Sequence, residues 1–249
     1  MRRPATRLRE AFLPGDPVNI DDACRVVGGD RVGVSRAMYH LAHSGYFDPV
    51  RQRLWVRSGA PVDPYRLSGR ITQPYALAYG SALALHGASG SERTEILITS
   101  PGRFDPFEYE GVFYRRASPW NKDGLARVPV GPEFITTTSR ERTLVDCIRV
   151  PANAGGLTEV IRGVLALGTL DTDEIVHWVD HHREATLAAR VGLILEHNHA
   201  TDPVLLRHLE QRRPHNRFYL QPGQRGGHVN PRWNAIVASH LIPAPVVST

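Results

Sequence analysis

Pro17-Val-Asn-Ile-Asp-Asp-Ala-Cys-Arg-Val-Val-Gly-Gly29, Asp30-Arg-Val-Gly-Val-Ser-Arg-Ala-Met-Tyr-His-Leu-Ala-His-Ser-Gly45 and Tyr46-Phe-Asp-Pro-Val-Arg-Gln-Arg-Leu-Trp-Val-Arg57 run without interruption, and their reading decides the fold. Asn19 suits an N-cap, because its side-chain oxygen accepts an orphan backbone N–H, and Ile20, Ala23, Cys24 and Val27 follow on one helical face until Gly28 and Gly29 stop it. Asp30 caps a second helix with apolar Val34, Ala37, Met38 and Leu41, and Gly45 stands where a left-handed C-terminal cap is wanted. Tyr46 to Pro49 and Arg53 to Arg57 alternate as a small hairpin, with Arg51, Arg53 and Arg57 at or near its tip. An earlier helix carrying Ala5, Leu8, Ala11 and Phe12 closes a three-helix core.

Two short helices followed by a basic strand pair at this spacing predict a winged helix-turn-helix, which presents its second helix to a DNA groove. The residues expected at the duplex are Arg31, Ser35, Arg36, Tyr39, His40 and His43 of that helix and Arg51, Arg53 and Arg57 of the wing. A three-helix structural or protein-binding module with a solvated Arg face is the competing reading of the same pattern.

Charge supports a nucleic-acid partner. Residues 1–57 hold ten Arg against six acids (+4), residues 203–249 hold six Arg against Glu210 (+5), and the whole chain is +5, so the middle is −4. Positive charge at both ends is the footprint expected of two phosphate-backbone contacts. Lys122 is the only lysine, and this Arg dominance reflects either bidentate phosphate recognition or a coding bias.

A chain of 249 residues with 41% hydrophobic content suits one small and one medium domain. Its longest apolar runs, such as Val191 to Leu195, are far short of a membrane span, and no apolar stretch of signal-peptide type follows the arginine-rich start. Cys24 and Cys147 both fall on apolar helix faces and read as small hydrophobes in a reducing cytoplasm.

The composition places the domains at residues 1–58 and 74–249, with a linker over 59–73 where Gly59, Pro61, Pro64 and Gly69 break any pattern. In the second domain, Tyr75 to His86 reads as a buried helix, and Glu95 to Thr99, Gly111 to Arg115 and Glu133 to Thr137 read as strands. Thr138 to Glu141 fits a capping box ahead of Leu144, Val145 and Ile148. Residues 157–167, 173–182, 184–197 and 203–213 are helical in pattern, and short strands return at 217–220 and 233–237. The expected class is therefore α+β: a winged helix-turn-helix followed by a larger mixed domain with a helical C-terminal half.

Five motifs in order carry a family resemblance. They are Tyr79-Gly-Ser-Ala-Leu-Ala-Leu-His-Gly87, Thr138-Ser-Arg-Glu-Arg-Thr-Leu-Val-Asp146, Gly155-Gly156, Arg190-Val-Gly-Leu-Ile-Leu-Glu196, and Leu220-Gln-Pro-Gly-Gln-Arg-Gly-Gly227 ahead of Trp233. With the N-terminal pattern, they make nearly the whole chain similar to the AbiEi-type antitoxins of type IV toxin-antitoxin systems. The resemblance implies a transcriptional autorepressor binding promoter repeats through its N-terminal domain. It also implies a C-terminal domain that opposes a cognate nucleotidyltransferase toxin without forming a stable complex with it. Neither enzymatic activity nor a cofactor is implied.

Physically, Glu141 suits the first turn of its helix, whereas Arg142 needs a partner such as Asp146 four residues on, so the segment reads first as a structural corner. Arg207, Arg212, Arg213, Arg217 and Arg225, the last in a glycine-rich loop, are expected to form a second nucleic-acid surface, on flanking operator DNA or on RNA. The alternative to a regulator is a nucleotidyltransferase-like or nucleic-acid-processing enzyme. Gly80-Ser81 ahead of a strand resembles polymerase-β-like transferases, but where two carboxylates should stand two apart the strand offers Glu95 and Leu97. A nuclease would need a lysine on a strand, and Lys122 lies in a turn-like segment. His177 and His181 share a helical face without a Glu after the first or an identified third ligand, so a solvated face is expected there.

Overall fold

The computed structural model describes residues 3–88, 94–198, 202–221, 223 and 225–242. The fold is mixed α+β, with ten α-helices and three sheets among the described residues. Two compact units share the chain: Met1–Leu77 with Arg93–Lys122 and Arg127–Thr137, and Ala78–Glu92 with Asp123–Ala126 and Thr138–Thr249.

The first unit opens with α1 (Pro4–Ala11), β1 (Pro17–Asn19), α2 (Ile20–Val27), α3 (Arg31–His43), β2 (Phe47–Arg51) and β3 (Leu54–Arg57). The helix ends follow local chemistry. Asn19 Oδ1 accepts from the Asp22 amide (2.9 Å) while Asp22 accepts from the Asn19 amide (3.2 Å), a reciprocal cap, and Gly28 at φ +67° closes α2. Asp30 accepts from the Val32 and Gly33 amides (2.9 and 2.8 Å) to start α3, and Gly45 at φ +73° turns the chain out of it. Leu8, Ile20, Ala23, Val34, Met38, Leu41, Phe47 and Trp55 form one buried core. At about 25 cal/mol per Å2 of apolar surface, this burial is the main force holding the three helices together. The three-residue β1 was not anticipated; it pairs antiparallel with β3, Pro17 opposite Val56, giving a sheet in the order β1-β3-β2.

Residues 59–73, read from the sequence as a linker, hold α4 (Pro64–Ser68), capped by Asp63 and burying Leu67 and Ser68. The same unit contains β4 (Ala76–Leu77), β5 (Glu95–Thr99), β6 (Phe107–Tyr109) and β7 (Val112–Ala117), together with most of β8 (Leu125–Val130) and β9 (Glu133–Thr138). These strands form a six-stranded sheet in the order β6-β7-β5-β4-β9-β8. β5 runs parallel to β7, Ile96 opposite Tyr114, and its successive Ile96, Leu97 and Ile98 are all buried, as a strand covered on both faces requires. Helices and sheet are tied by alternating charges. Arg66 binds Asp16 (2.7 Å) and Glu133 (2.9 and 2.7 Å), and Arg70 binds Glu133 and Asp22 (both 2.8 Å).

The second unit is helical: α5 (Tyr79–Leu85), α6 (Arg140–Arg149), α7 (Leu157–Val164), α8 (Thr172–His182), α9 (Leu187–His197) and α10 (Pro203–Gln211). It ends in a small sheet of β10 (Phe218–Tyr219), β11 (His228–Asn230) and β12 (Ala235–Val237), ordered β10-β12-β11. The helix expected over Tyr75 to His86 is split, its first residues forming β4, because Ala76 and Leu77 pair with Thr99 and Ile98 of β5. The expected capping box at Thr138 is shifted by one residue. Ser139 caps α6 by accepting from the Arg142 amide (3.2 Å), Thr138 hydrogen-bonds the Thr143 hydroxyl (2.6 Å), and Glu141 accepts from the Asp171 amide (3.1 Å). No helix among the described residues is long and apolar enough to cross a membrane.

Candidate nucleic-acid interface

α3 separates its residues sharply. At 100° per residue, Val34, Met38 and Leu41 point to the core, while Val32, Arg36, Tyr39, His40 and His43 fall within an arc of about 100° on the opposite side. All five of the latter are exposed. Arg36 has no ion-pair partner among the described residues, so its guanidinium is available to a ligand. Tyr39 packs against Trp55 in a T-shaped arrangement, ring centroids 5.9 Å apart. Val32, 61% exposed, was missed by sequence reasoning, although an apolar residue one turn before Arg36 on the polar face was a visible signal. Ser35, half-buried, flanks the stripe, whereas Arg31, in the first turn of α3, lies about 80° beyond its edge on the Met38 side and pairs with Asp21 at 3.1 Å.

The three hairpin arginines differ in position. Arg53 is exposed at the turn with φ +63°. Arg51 is half-buried, donates to the Asp105 carbonyl (3.3 Å) and lies over the rings of Phe107 and Phe104 (5.1 and 5.9 Å). Arg57 is not at the tip: it donates to the carbonyls of Tyr46 (2.9 Å) and Ser58 (3.2 Å) and packs against Tyr46 and Phe47. Trp55 and Arg57, two residues apart on β3, share the face that turns to the core, so Arg57 serves there as a brace held by its carbonyl partners and not at the wing tip where it was expected.

In the second unit the motif Thr138 to Asp146 forms a buried polar corner. Asp146 accepts from His182 (3.0 Å) and pairs with Arg142 (3.4 Å). The Arg142 guanidinium also donates to the Asp123 carbonyl (2.7 Å) and stacks over Trp178 at 5.0 Å. His86 meets the Thr138 carbonyl at 2.8 Å; burial lowers its pKa below the usual histidine value, and that hydrogen bond opposes the shift in part. The motif Arg190 to Glu196 has a packing purpose as well. A Cβ on Gly192 would lie 2.1 Å from the Trp233 ring, and Glu196 accepts the indole N–H of Trp233 at 2.6 Å and binds Arg232.

The tail arginines divide into two groups. Arg212 is clamped by Asp180 (2.7 and 3.0 Å), which holds its pKa above the ordinary arginine value, and Arg213 binds Glu210 and the Arg232 carbonyl. Their charge is thus largely neutralised. Arg207, Arg217 and Arg225 are exposed without an acidic partner among the described residues and remain as the cationic part of the expected second surface. Pro222 and Gln224 of the glycine-rich loop lie outside the described residues; Gly223, Gly226 and Gly227 adopt φ +76°, +72° and +123°. As for the residues weighed for enzyme chemistry, Glu95 is engaged by Arg115 (2.5 and 3.2 Å) beside buried Leu97, and Lys122 is exposed. His177 and His181 are exposed, ring centroids 6.3 Å apart.

Neither a protein-family model nor a curated protein matches this sequence. Among solved structures, the chain is similar to the crystal structure of the RV2827C protein from Mycobacterium tuberculosis, with a TM-score of 0.64 and 17% identity over 95% of this chain and 93% of that one. At that identity the likeness concerns the fold.

Proposed function

We propose that residues 3–57 are a winged helix-turn-helix and that this protein is a DNA-binding transcriptional autorepressor, acting also as the antitoxin of a type IV toxin-antitoxin system. The observation that carries the DNA-binding reading is the exposed stripe of α3. Val32, Arg36, Tyr39, His40 and His43 face away from the core beside a wing whose exposed Arg53 has no ion-pair partner among the described residues. Arg36 is suited to the two acceptors on the major-groove edge of guanine, and Arg53 to the phosphate backbone. The antitoxin half rests on the five ordered motifs that resemble AbiEi-type proteins. The corner at Arg142 and Asp146 then supports the second unit as a stable body from which Arg207, Arg217 and Arg225 meet nucleic acid.

Mobility-shift titration of the chain on its own promoter and on a scrambled duplex tests the DNA half. Arg36→Ala should cost on the order of 1–3 kcal/mol on the promoter and much less on scrambled DNA, whereas Arg53→Ala should weaken both alike. Equal losses on the two duplexes for Arg36→Ala would remove it from base readout. Co-expression with an adjacent nucleotidyltransferase-like gene tests the antitoxin half: the full chain carrying Arg36→Ala should restore growth while repression of the promoter is weakened. Growth arrest that the full chain does not relieve would defeat that assignment.

A further inference from the structure

Beside the hairpin lies a cleft of about 370 Å3, bounded by Arg31, Arg51, Arg53, Arg70 and Arg103 with Asp21 as its acid. Its charges are not equivalent. Arg31 is paired with Asp21, and Arg70 with Asp22 and Glu133. Arg51, Arg53 and Arg103 have no carboxylate partner among the described residues. Three uncompensated guanidinium groups around one concavity repel one another, and an anion relieves that repulsion.

The cleft is held open by structure. Stacking on Phe104 and Phe107 fixes Arg51, so little rotamer entropy is lost when it binds. The loop that carries Arg103 is anchored by buried Ser100, whose hydroxyl donates to the Pro74 carbonyl (2.6 Å) and accepts from the Gly102 amide (3.0 Å). Thr72, another lining residue, sits so close that a Cβ on Gly102 would be 2.6 Å from its hydroxyl. Any larger residue at position 102 would force Thr72 or the loop to shift.

We propose that this cleft grips the phosphate backbone of duplex DNA and that Arg103, outside the N-terminal module, is a DNA-contacting residue. The inference rests on the DNA-binding reading above. Continuity favours a duplex over a free anion: Arg31, the first residue of α3, lines the cleft from the N-terminal end of that helix, and Arg53 belongs to the wing. A strand leaving a major groove filled by α3 would therefore pass the cleft mouth.

The test is fluorescence anisotropy of the full chain with promoter and scrambled duplexes across a salt series, for wild type, Arg103→Ala and Arg36→Ala. Loss of one phosphate contact should flatten the log–log salt slope by about 0.9, so that wild type loses roughly 3.5-fold more affinity than Arg103→Ala between 50 and 200 mM salt, on both duplexes. Arg103 is exposed, and an unchanged melting temperature verifies folding. An unaltered slope and affinity in Arg103→Ala, with Arg36→Ala still impaired on the promoter, would overturn this inference alone. A wild-type chain that binds neither duplex would overturn both readings. Arg103-dependent binding of inorganic pyrophosphate with no effect of Arg103→Ala on DNA would assign the cleft to a small anion and refute the duplex contact.

Discussion

Glu133→Ala should show how far the N-terminal helices depend on the six-stranded sheet. The Glu133 carboxylate accepts three bonds, two from Arg66 (2.9 and 2.7 Å) and one from Arg70 (2.8 Å). A hydrogen bond to a charged group contributes about 1.5–3 kcal/mol in favourable settings. The Glu133, Arg66 and Arg70 side chains keep 15–25% exposure, and each arginine retains a second acid, Asp16 or Asp22. Water screening and the remaining partners reduce the figure to about 1 kcal/mol per bond, so Glu133→Ala should cost on the order of 3 kcal/mol. Glu133→Gln, which keeps an acceptor oxygen, should cost roughly half as much. Urea unfolding measures both, the midpoint moving down while the slope stays constant. A loss within about 0.5 kcal/mol for Glu133→Ala would mean that Asp16 and Asp22 alone satisfy the two arginines, and the ascribed link would be refuted. A double-mutant cycle with Arg70→Ala offers a further check, since additivity within about 0.3–0.5 kcal/mol would also count against it.

Two further outcomes follow from the second unit. Asp146→Ala should destabilise it by about 3–5 kcal/mol, because a buried arginine loses its carboxylate, while Asp146→Asn should be milder; thermal unfolding measures both, and a neutral Asp146→Ala would show the pair to be dispensable. His86, held neutral by burial, should make stability fully present above about pH 6.5 and declining as pH falls from there toward its lowered folded value, below which the loss levels off. Stability against pH for His86→Gln should be flatter over that window, and a profile identical to wild type would exclude His86 as a source of the slope.

The elements governed by neighbours in sequence were legible from sequence. The caps at Asn19 and Asp30, the left-handed turn at Gly45, the core positions of α2 and α3, strand β5 and the exposure of Arg36, Tyr39, His40 and His43 all depend on residues within a turn or two of one another. Periodicity reports such relations directly. The pairing of Arg142 with Asp146, at i and i+4, belongs to the same class. Strands β1 and β4 carry no such signal; they exist because β3 and β5 offer them backbone partners.

Tertiary structure alone decided which arginines are free. Arg57 turns to the Tyr46 and Ser58 carbonyls, Arg212 is claimed by Asp180 32 residues away, and Arg66 reaches Asp16 across 50 residues and Glu133 across 67. Composition counts each of these as a positive charge, yet a cation's availability to phosphate depends on the carboxylate that the fold brings beside it. For the same reason Arg103, unremarkable in its own stretch of chain, gains a candidate role only when folding sets it around one cleft with Arg51 and Arg53.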